Sequence, residues 1–380
     1  MWPGRPASLR CSTTRSRPSS DAPRTALALE HRLSRPRVLI YRPVDDSGAS
    51  HAELAAAGCD VTIAVPNAER TELAALARGS DALLGATFRG VIDREFLAAS
   101  PNLRIIAKYT IGVDDVDVDA ASALGVLVTH CPTEANWGGV AEGTIAFMLT
   151  ILKRIRERDA HVKGGGWREP PFYGTYVGRR QDGYRGITIG IVGLGRAGSR
   201  VAELLAPWRA RVLATDPYVE AVKFERLGVA RVDLDTLLRE SDVVTLHCNL
   251  TSETRGMIDA RRLALLKRSA VLINTARGAV VDLDALCDAL ERGALVAAAL
   301  DVLPEEPPAG VSRVLALGDR VLLSPHMVAA NQGGTLGAAI PWATQATLAA
   351  LRGEVPDNVY NTAAIAAWRA RFAGRSLLPR

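Results

Sequence analysis

Residues 187–205, ITIGIVGLGRAGSRVAELL, decide the fold. An apolar β-type run leads straight into Gly193, Gly195 and Gly198 in G-x-G-x-x-G spacing, and a helical pattern opens on the last of them. Gly193 permits a tight turn, Gly195 lets backbone N–H groups approach a pyrophosphate, and Gly198 allows close packing of helix on strand. A helix N-terminus offers N–H donors with no partner in their own helix, which suits an anion. The next β-type run, RVLATD, ends on Asp216, eighteen residues after Gly198, where a carboxylate accepts hydrogen bonds from an adenosine ribose diol and repels a 2′-phosphate. This stretch therefore predicts a Rossmann unit that prefers NAD to NADP.

Outward from it, the chain alternates strands with helices twice, which predicts an α/β protein of two parallel sheets. The second series contains ITIGIVG, RVLATD, VVTLHC, AVLINTA, LVAAALDVL and VLLSPH; the first contains RVLIYRPV, DVTIAV, ALLGAT, RIIAKYT and VLVTHC. A helical stretch over 139–162, buried at its start and charged at its end, suits a crossing between domains or packing on a second subunit. The Gly- and Pro-rich segment 163–186 reads as a connecting loop. Because the first series lacks cover for one face, the last helix is expected to return to it. One domain is thus inserted in another: a flavodoxin-like substrate domain over 36–134 and 327–361, and the NAD-binding domain over 135–326. Residues 362–380 are expected as a C-terminal tail. Residues 1–35, rich in Arg, Ser and Pro, superficially resemble a transit peptide and read instead as a disordered extension or an upstream start.

Composition excludes several classes. With 48% hydrophobic and 23% charged residues and no long apolar run, the chain reads as globular, without a membrane span. The net charge of +5 is scattered, which argues against nucleic acid. Cys11, Cys59, Cys131, Cys248 and Cys287 are far apart and form no CxxC, so they read as reduced thiols of a cytoplasmic protein, with no disulfide framework and no metal site.

In an open parallel sheet, ligands bind beyond the carboxyl ends of the strands. Three of those ends carry polar groups: VLINTARG delivers Arg277, LVAAALDVLPEEPP delivers Asp301, Glu305 and Glu306, and VLLSPH delivers His326. A guanidinium clamps a carboxylate, and a histidine near neutral pKa moves the proton of a hydroxyl or carbonyl oxygen, oriented by a neighbouring acid. Together these groups match hydride transfer between NAD and a 2-hydroxy acid.

The motifs IGVDDVD, VAEGT, GIVGLGRAG, SDVVTLHCNLTSETRGMID, LLKRSAVLINTARGAVVD, AALDVLPEEP and LSPHMV, taken in order, resemble those of the D-isomer-specific 2-hydroxyacid dehydrogenase family from about Pro36 to Asn361. The resemblance implies Arg277, Glu306 and His326 as the catalytic trio, His326 as acid/base and Glu306 as its partner. It implies that Arg196 and Ala197 contact the pyrophosphate, that Thr275 and Ala276 line the cofactor with Arg277, and that Asp301 bonds the nicotinamide carboxamide. Lys108, Tyr109, Thr110, Ile111 and Gly112 would border the substrate, and Lys108 would be available to a phosphate. His247 resembles a structural position. The sequence departs from the family at Asn249, commonly proline, at Leu303, commonly a bulkier aromatic, and at Tyr109 to Ile111, commonly a glycine-rich turn. The implied activity is that of a D-2-hydroxyacid dehydrogenase or 2-keto acid reductase, on 3-phosphoglycerate as a short form, or on glyoxylate or hydroxypyruvate. The implied assembly is a homodimer through the helix near 139–162. A second reading is a non-enzymatic, NADH-sensing, corepressor-like interaction protein.

Overall fold

The computed structural model describes residues 35–42, 49–65, 68–88, 90–331 and 336–379, so nearly all of the expected N-terminal extension lies outside the described residues. Five short runs rich in Val, Ile, Leu and Ala form the first sheet: β1 (Arg37–Arg42), β2 (Asp60–Ile63), β3 (Ala82–Gly85), β4 (Ile105–Lys108) and β5 (Leu127–Thr129). All pair in parallel, in the order β2-β1-β3-β4-β5. The sheet is covered on both faces, so its inner strands read as continuous apolar runs. Leu39, Leu83, Ile106 and Val128 fill one core. Ile40, Leu84, Ile105 and Leu127 fill the other, against the helix Ile340–Arg352. That helix is the expected return to the first domain, and it packs on β3 and β4.

The second sheet holds β6 (Thr188–Val192), β7 (Arg211–Thr215), β8 (Ala230–Arg231), β9 (Val243–Leu246), β10 (Val271–Asn274), β11 (Ala297–Leu300) and β12 (Val321–Leu323), in the order β12-β11-β10-β9-β6-β7-β8. The strand order reverses at β6, which pairs with β7 on one side and β9 on the other. A doubly wound sheet binds its ligand at such a reversal, beyond the strand ends. β8 was not foreseen: two exposed residues carry no apolar signal.

Two other expectations change. The helix expected over 139–162 is two helices, Glu134–Leu152 and Ile155–Lys163, broken where Arg154 adopts φ +53°. The break comes from the loop that follows: Thr175 N–H donates to the Leu152 carbonyl at 2.8 Å, and Lys153 Nζ donates to the Thr175 carbonyl at 2.6 Å. The described residues 362–379 are no loose tail. The helix Ile365–Phe372 buries Trp368 completely in the core beneath the helix Ile340–Arg352, with Trp368 Nε1 donating to the Arg104 carbonyl at 2.9 Å. Arg104, itself buried, donates in turn to the carbonyls of Ala350, Leu351 and Arg375. A large indole with a satisfied N–H is a core residue, and the domain extends through it.

Among the described residues, no helix is long and apolar enough to cross a membrane, and no His, Cys, Asp and Glu group could hold a metal ion. The four described cysteines, Cys59, Cys131, Cys248 and Cys287, are unpaired.

Candidate active site

The glycine loop meets the steric requirements that its spacing predicts. Gly193 has φ +90°, and a Cβ there would stand 2.8 Å from the Cys248 nitrogen and the His247 carbonyl carbon. A Cβ on Gly198 would stand 2.0 Å from the Gly193 oxygen, so strand and helix touch through backbone. Gly195 is different: a Cβ there would meet nothing within 4 Å, so open space lies above the start of the helix Arg196–Leu205. The amides of Arg196, Ala197 and Gly198, in the first turn, have no acceptor within their own helix. Asp216 follows β7 directly, beside this opening. Its Oδ2 accepts the Leu194 N–H at 2.8 Å and its Oδ1 the Tyr218 N–H at 3.0 Å. Thr215, Asp216, Pro217, Arg231, Val232 and Asp233 line an adjoining cleft. Open space, unpaired amides and a fixed carboxylate fit a dinucleotide's pyrophosphate and ribose.

Arg277 stands just past β10 because the turn is braced from within. Asn274 Oδ1 accepts the Ala276 N–H at 3.0 Å and its Nδ2 donates to the Arg277 carbonyl at 2.9 Å. A Cβ on Gly278 would lie 2.0 Å from the Leu303 carbonyl carbon, so only glycine fits where this turn crosses the one after β11. Thr275 and Ala276 are buried, and Thr275 Oγ1 is 3.1 Å from Thr144 Oγ1 on the helix Glu134–Leu152. The Arg277 guanidinium leaves its own domain: Nε donates to Asp114 Oδ2, on the first domain, at 2.8 Å, and Nη1 donates to the Ala276 carbonyl at 2.7 Å.

His326 and Glu306, twenty residues apart in sequence, form a pair, with Nδ1 2.7 Å from Oε2. Glu306 Oε1 accepts the Leu303 N–H at 3.0 Å, which fixes the carboxylate's second oxygen. The hydrogen bond to Glu306 raises the His326 pKa above its usual value, although burial and Arg277 pull it down. Burial pushes the Glu306 carboxyl up, but His326, Leu303 and Arg277 together bring it below its ordinary range. Each charge therefore favours the other.

His326 adopts φ +56°, a left-handed conformation that costs a β-substituted residue about 1–3 kcal/mol and persists only when the surroundings enforce it. Asp301 is the enforcer. It is 3% exposed, its carbonyl accepts the His326 N–H at 2.8 Å, and its Oδ1 accepts the N–H groups of Met327 and Val328 at 2.9 and 3.0 Å. The helix Glu134–Leu152 presses on the same turn through glycine: a Cβ on Gly143 would lie 2.0 Å from Val328 Cγ2.

The substrate-side segment separates into two parts. Thr110, Ile111 and Gly112 are partly exposed, and Thr110 Oγ1 donates to the Gly112 carbonyl at 2.6 Å. Lys108 and Tyr109 are not available in the way the resemblance implied. The Lys108 side chain is 1% exposed, its Nζ paired with Asp115 Oδ2 and 3.2 Å from the Tyr41 hydroxyl; Tyr109 is buried in the core beneath the helix Ile340–Arg352. An ammonium so enclosed and neutralised cannot receive a phosphate. His247 hydrogen-bonds Thr245 at 2.9 Å, and desolvation holds its pKa at about 4.

The sequence reading missed Asp114, Thr144 and Asn274 as participants in this site. Asn274 alone carried a local signal, an amide closing an otherwise apolar strand. Asp114 and Thr144 belong to motifs that were recognised, but a pairing 163 residues apart has no trace in spacing.

Comparison with known proteins agrees with this architecture. Residues 145–328 match the family model described as D-isomer specific 2-hydroxyacid dehydrogenase, NAD binding domain. A D-3-phosphoglycerate dehydrogenase of Mycobacterium leprae is 38% identical over 312 residues, covering 82% of this chain and 57% of that protein. The chain thus spans a little over half the length of that relative. A glyoxylate reductase of Thermofilum pendens is 36% identical over 337 residues, covering 87% of this chain and 95% of the other. The crystal structure of D-lactate dehydrogenase from Aquifex aeolicus, complexed with NAD and lactic acid, superposes with a TM-score of 0.75 at 28% identity, covering 86% of this chain and 99% of that one. With its NAD-binding domain inserted between the strands of the first sheet and the helix that returns to cover them, and a relative matched over nearly its whole length, the chain belongs to the D-isomer specific 2-hydroxyacid dehydrogenase family.

Proposed function

We propose that the protein is an NAD-dependent D-2-hydroxyacid dehydrogenase working, in either direction, on a small 2-hydroxy or 2-keto carboxylate. The observation that carries this reading is the hydrogen-bonded His326–Glu306 pair, close enough to Arg277 for the guanidinium to affect both pKa values. Arg277 holds the substrate carboxylate, and His326, oriented through Nδ1 by Glu306, gives its Nε2 proton to the carbonyl oxygen in reduction and takes it back in oxidation. The dinucleotide, when bound, would supply the hydride to Cα as NADH in reduction and accept it as NAD⁺ in oxidation. Gly193, Gly195, Arg196, Ala197 and Gly198 cradle its pyrophosphate, Asp216 its adenosine ribose, and Thr275, Ala276 and Asp301 the nicotinamide end. Thr110, Ile111 and Gly112 border the substrate, and closure of the domains excludes water before transfer.

The relatives' names supply 3-phosphoglycerate and glyoxylate as substrate candidates; hydroxypyruvate joins them on chemistry. The buried, paired Lys108 gives no reason to prefer a phosphorylated one. We place the protein in the cytoplasm as a homodimer. Unpaired cysteines suit a reducing compartment, and the exposed Ile155, Val162, Trp167, Tyr173 and Tyr176 after the long helix suit a second copy. A monomer by sedimentation would remove the dimer.

The test is NADH oxidation across glyoxylate, hydroxypyruvate, phosphohydroxypyruvate, pyruvate and bulkier 2-keto acids, beside Arg277→Met and His326→Ala. Activity that falls about 10²–10⁴-fold in His326→Ala supports the assignment. NADH binding without turnover of any substrate would instead favour the sensor.

A further inference from the structure

Two consecutive aspartates on the first domain point in opposite directions. Asp115 turns inward, where it pairs with Lys108 and accepts the Phe88 N–H at 2.5 Å. Asp114 turns outward across the domain boundary and accepts Arg277 Nε at 2.8 Å. The loop between Thr110 and Asp114 is thereby pinned below by a buried ion pair and braced by the Thr110–Gly112 hydrogen bond. Gly112 completes the seat: a Cβ there would stand 2.1 Å from Arg277 Nη2 and 2.8 Å from Asp114 Oδ2, so the guanidinium lies directly on the loop backbone.

We infer that Asp114 is a positioning residue for the reaction proposed above, acting through Arg277 and not on the substrate itself. A guanidinium has five N–H donors. Asp114 takes the one on Nε and the Ala276 carbonyl takes one on Nη1, which fixes the plane of the fork. Three donors remain, both on Nη2 and one on Nη1, and these receive the substrate carboxylate. A long, rotamer-rich arginine held at Nε loses less freedom when it binds, so Asp114 contributes to substrate affinity without contacting substrate. Because Asp114 and Arg277 come from different domains, the same bond aligns the clamp with the substrate loop as the cleft closes.

The substrate carboxylate is held alike before and during hydride transfer, so loss of its clamp is read mainly in KM. The experiment measures steady-state kinetics of wild type, Asp114→Ala and Asp114→Asn with whichever 2-keto acid the wild type reduces, together with NADH affinity and Tm. The expected result for Asp114→Ala is a KM raised about tenfold or more, with kcat changed about threefold or less and with NADH affinity and Tm unchanged. Asp114→Asn, whose amide oxygen still accepts Nε–H, recovers much of the loss. An unchanged KM overturns the inference. So does a lowered one, which would make Asp114 a competitor for the guanidinium. A parallel loss of kcat, NADH affinity and Tm would make the residue merely structural and overturns it too. If the wild-type protein reduces no 2-keto acid, the proposed function fails and takes this inference with it, an outcome distinct from turnover that ignores Asp114.

Discussion

Glu306 reaches His326 Nδ1 at 2.7 Å with one carboxylate oxygen while the Leu303 N–H holds the other at 3.0 Å, so the ring is oriented by an acid that is itself anchored. The consequence is a pH profile. His326, raised by Glu306, stabilises the fold below its ordinary value of 6.5 and loses that contribution as pH rises through the raised value. Glu306, lowered, contributes above its ordinary 4.5 and loses that contribution as pH falls. Reduction needs the imidazolium, so kcat/KM for a 2-keto acid falls as pH rises through the His326 pKa. In Glu306→Gln that fall moves to lower pH, and kcat drops about tenfold or more. A pH–rate profile whose alkaline limb stays in place would remove Glu306 from its role.

Gly143→Ala tests the scaffold behind the histidine. The added methyl meets Val328 Cγ2 at 2.0 Å and the Val328 oxygen at 2.8 Å, two residues from His326. Overpacking of this kind costs about 1–3 kcal/mol. A displaced acid/base group loses rate steeply, so kcat is expected to fall about 10- to 100-fold while NADH affinity stays near wild type. Unfolding curves and fluorescence titration of NADH check both halves.

Asp216→Asn removes charge from the position proposed to bind the adenosine ribose, while its amide oxygen still accepts the Leu194 or the Tyr218 N–H. The preference for NAD over NADP, as a ratio of kcat/KM values, is expected to fall about tenfold, or about 1.4 kcal/mol. An unchanged ratio would mean that the discrimination lies elsewhere.

Lys108→Met leaves the Asp115 carboxylate without its partner in a site where the lysine is 1% and the aspartate 11% exposed. Breaking a buried pair from one side costs about 3–5 kcal/mol, and Lys108→Met/Asp115→Asn recovers part of it. The urea midpoint reads this directly. A variant of full stability would show that the pair is dispensable.

Much of this was legible in the sequence because the signals were local. Glycine spacing, a strand before it, a helix after it and an acid at the next strand's end together specify a turn that only a Rossmann unit builds, and the three polar strand ends pointed to the cleft. The misreadings were failures of context. The resemblance offered Lys108 to the substrate, yet its partner Asp115 lies seven residues on, beyond a turn that composition does not reveal. Trp368 looked like part of a tail because its hydrogen-bond partner Arg104 lies 264 residues upstream. The break at Arg154 follows from a carbonyl captured by Thr175, a residue in a loop without periodicity.

The inserted arrangement also dictates an order of events during synthesis. The first sheet's strands are complete at Thr129, but the helix that covers one of its faces begins only at Ile340, and the Trp368 that seals it comes later still. The NAD-binding domain, contiguous between them, is translated in full before the first domain receives its last layer. At about 5–20 residues per second the N-terminal strands wait on the order of 10–40 s with part of an apolar face uncovered. The ribosome therefore delivers the cofactor domain as the earlier folding unit, and the substrate domain, though its strands precede that unit, is the last to close.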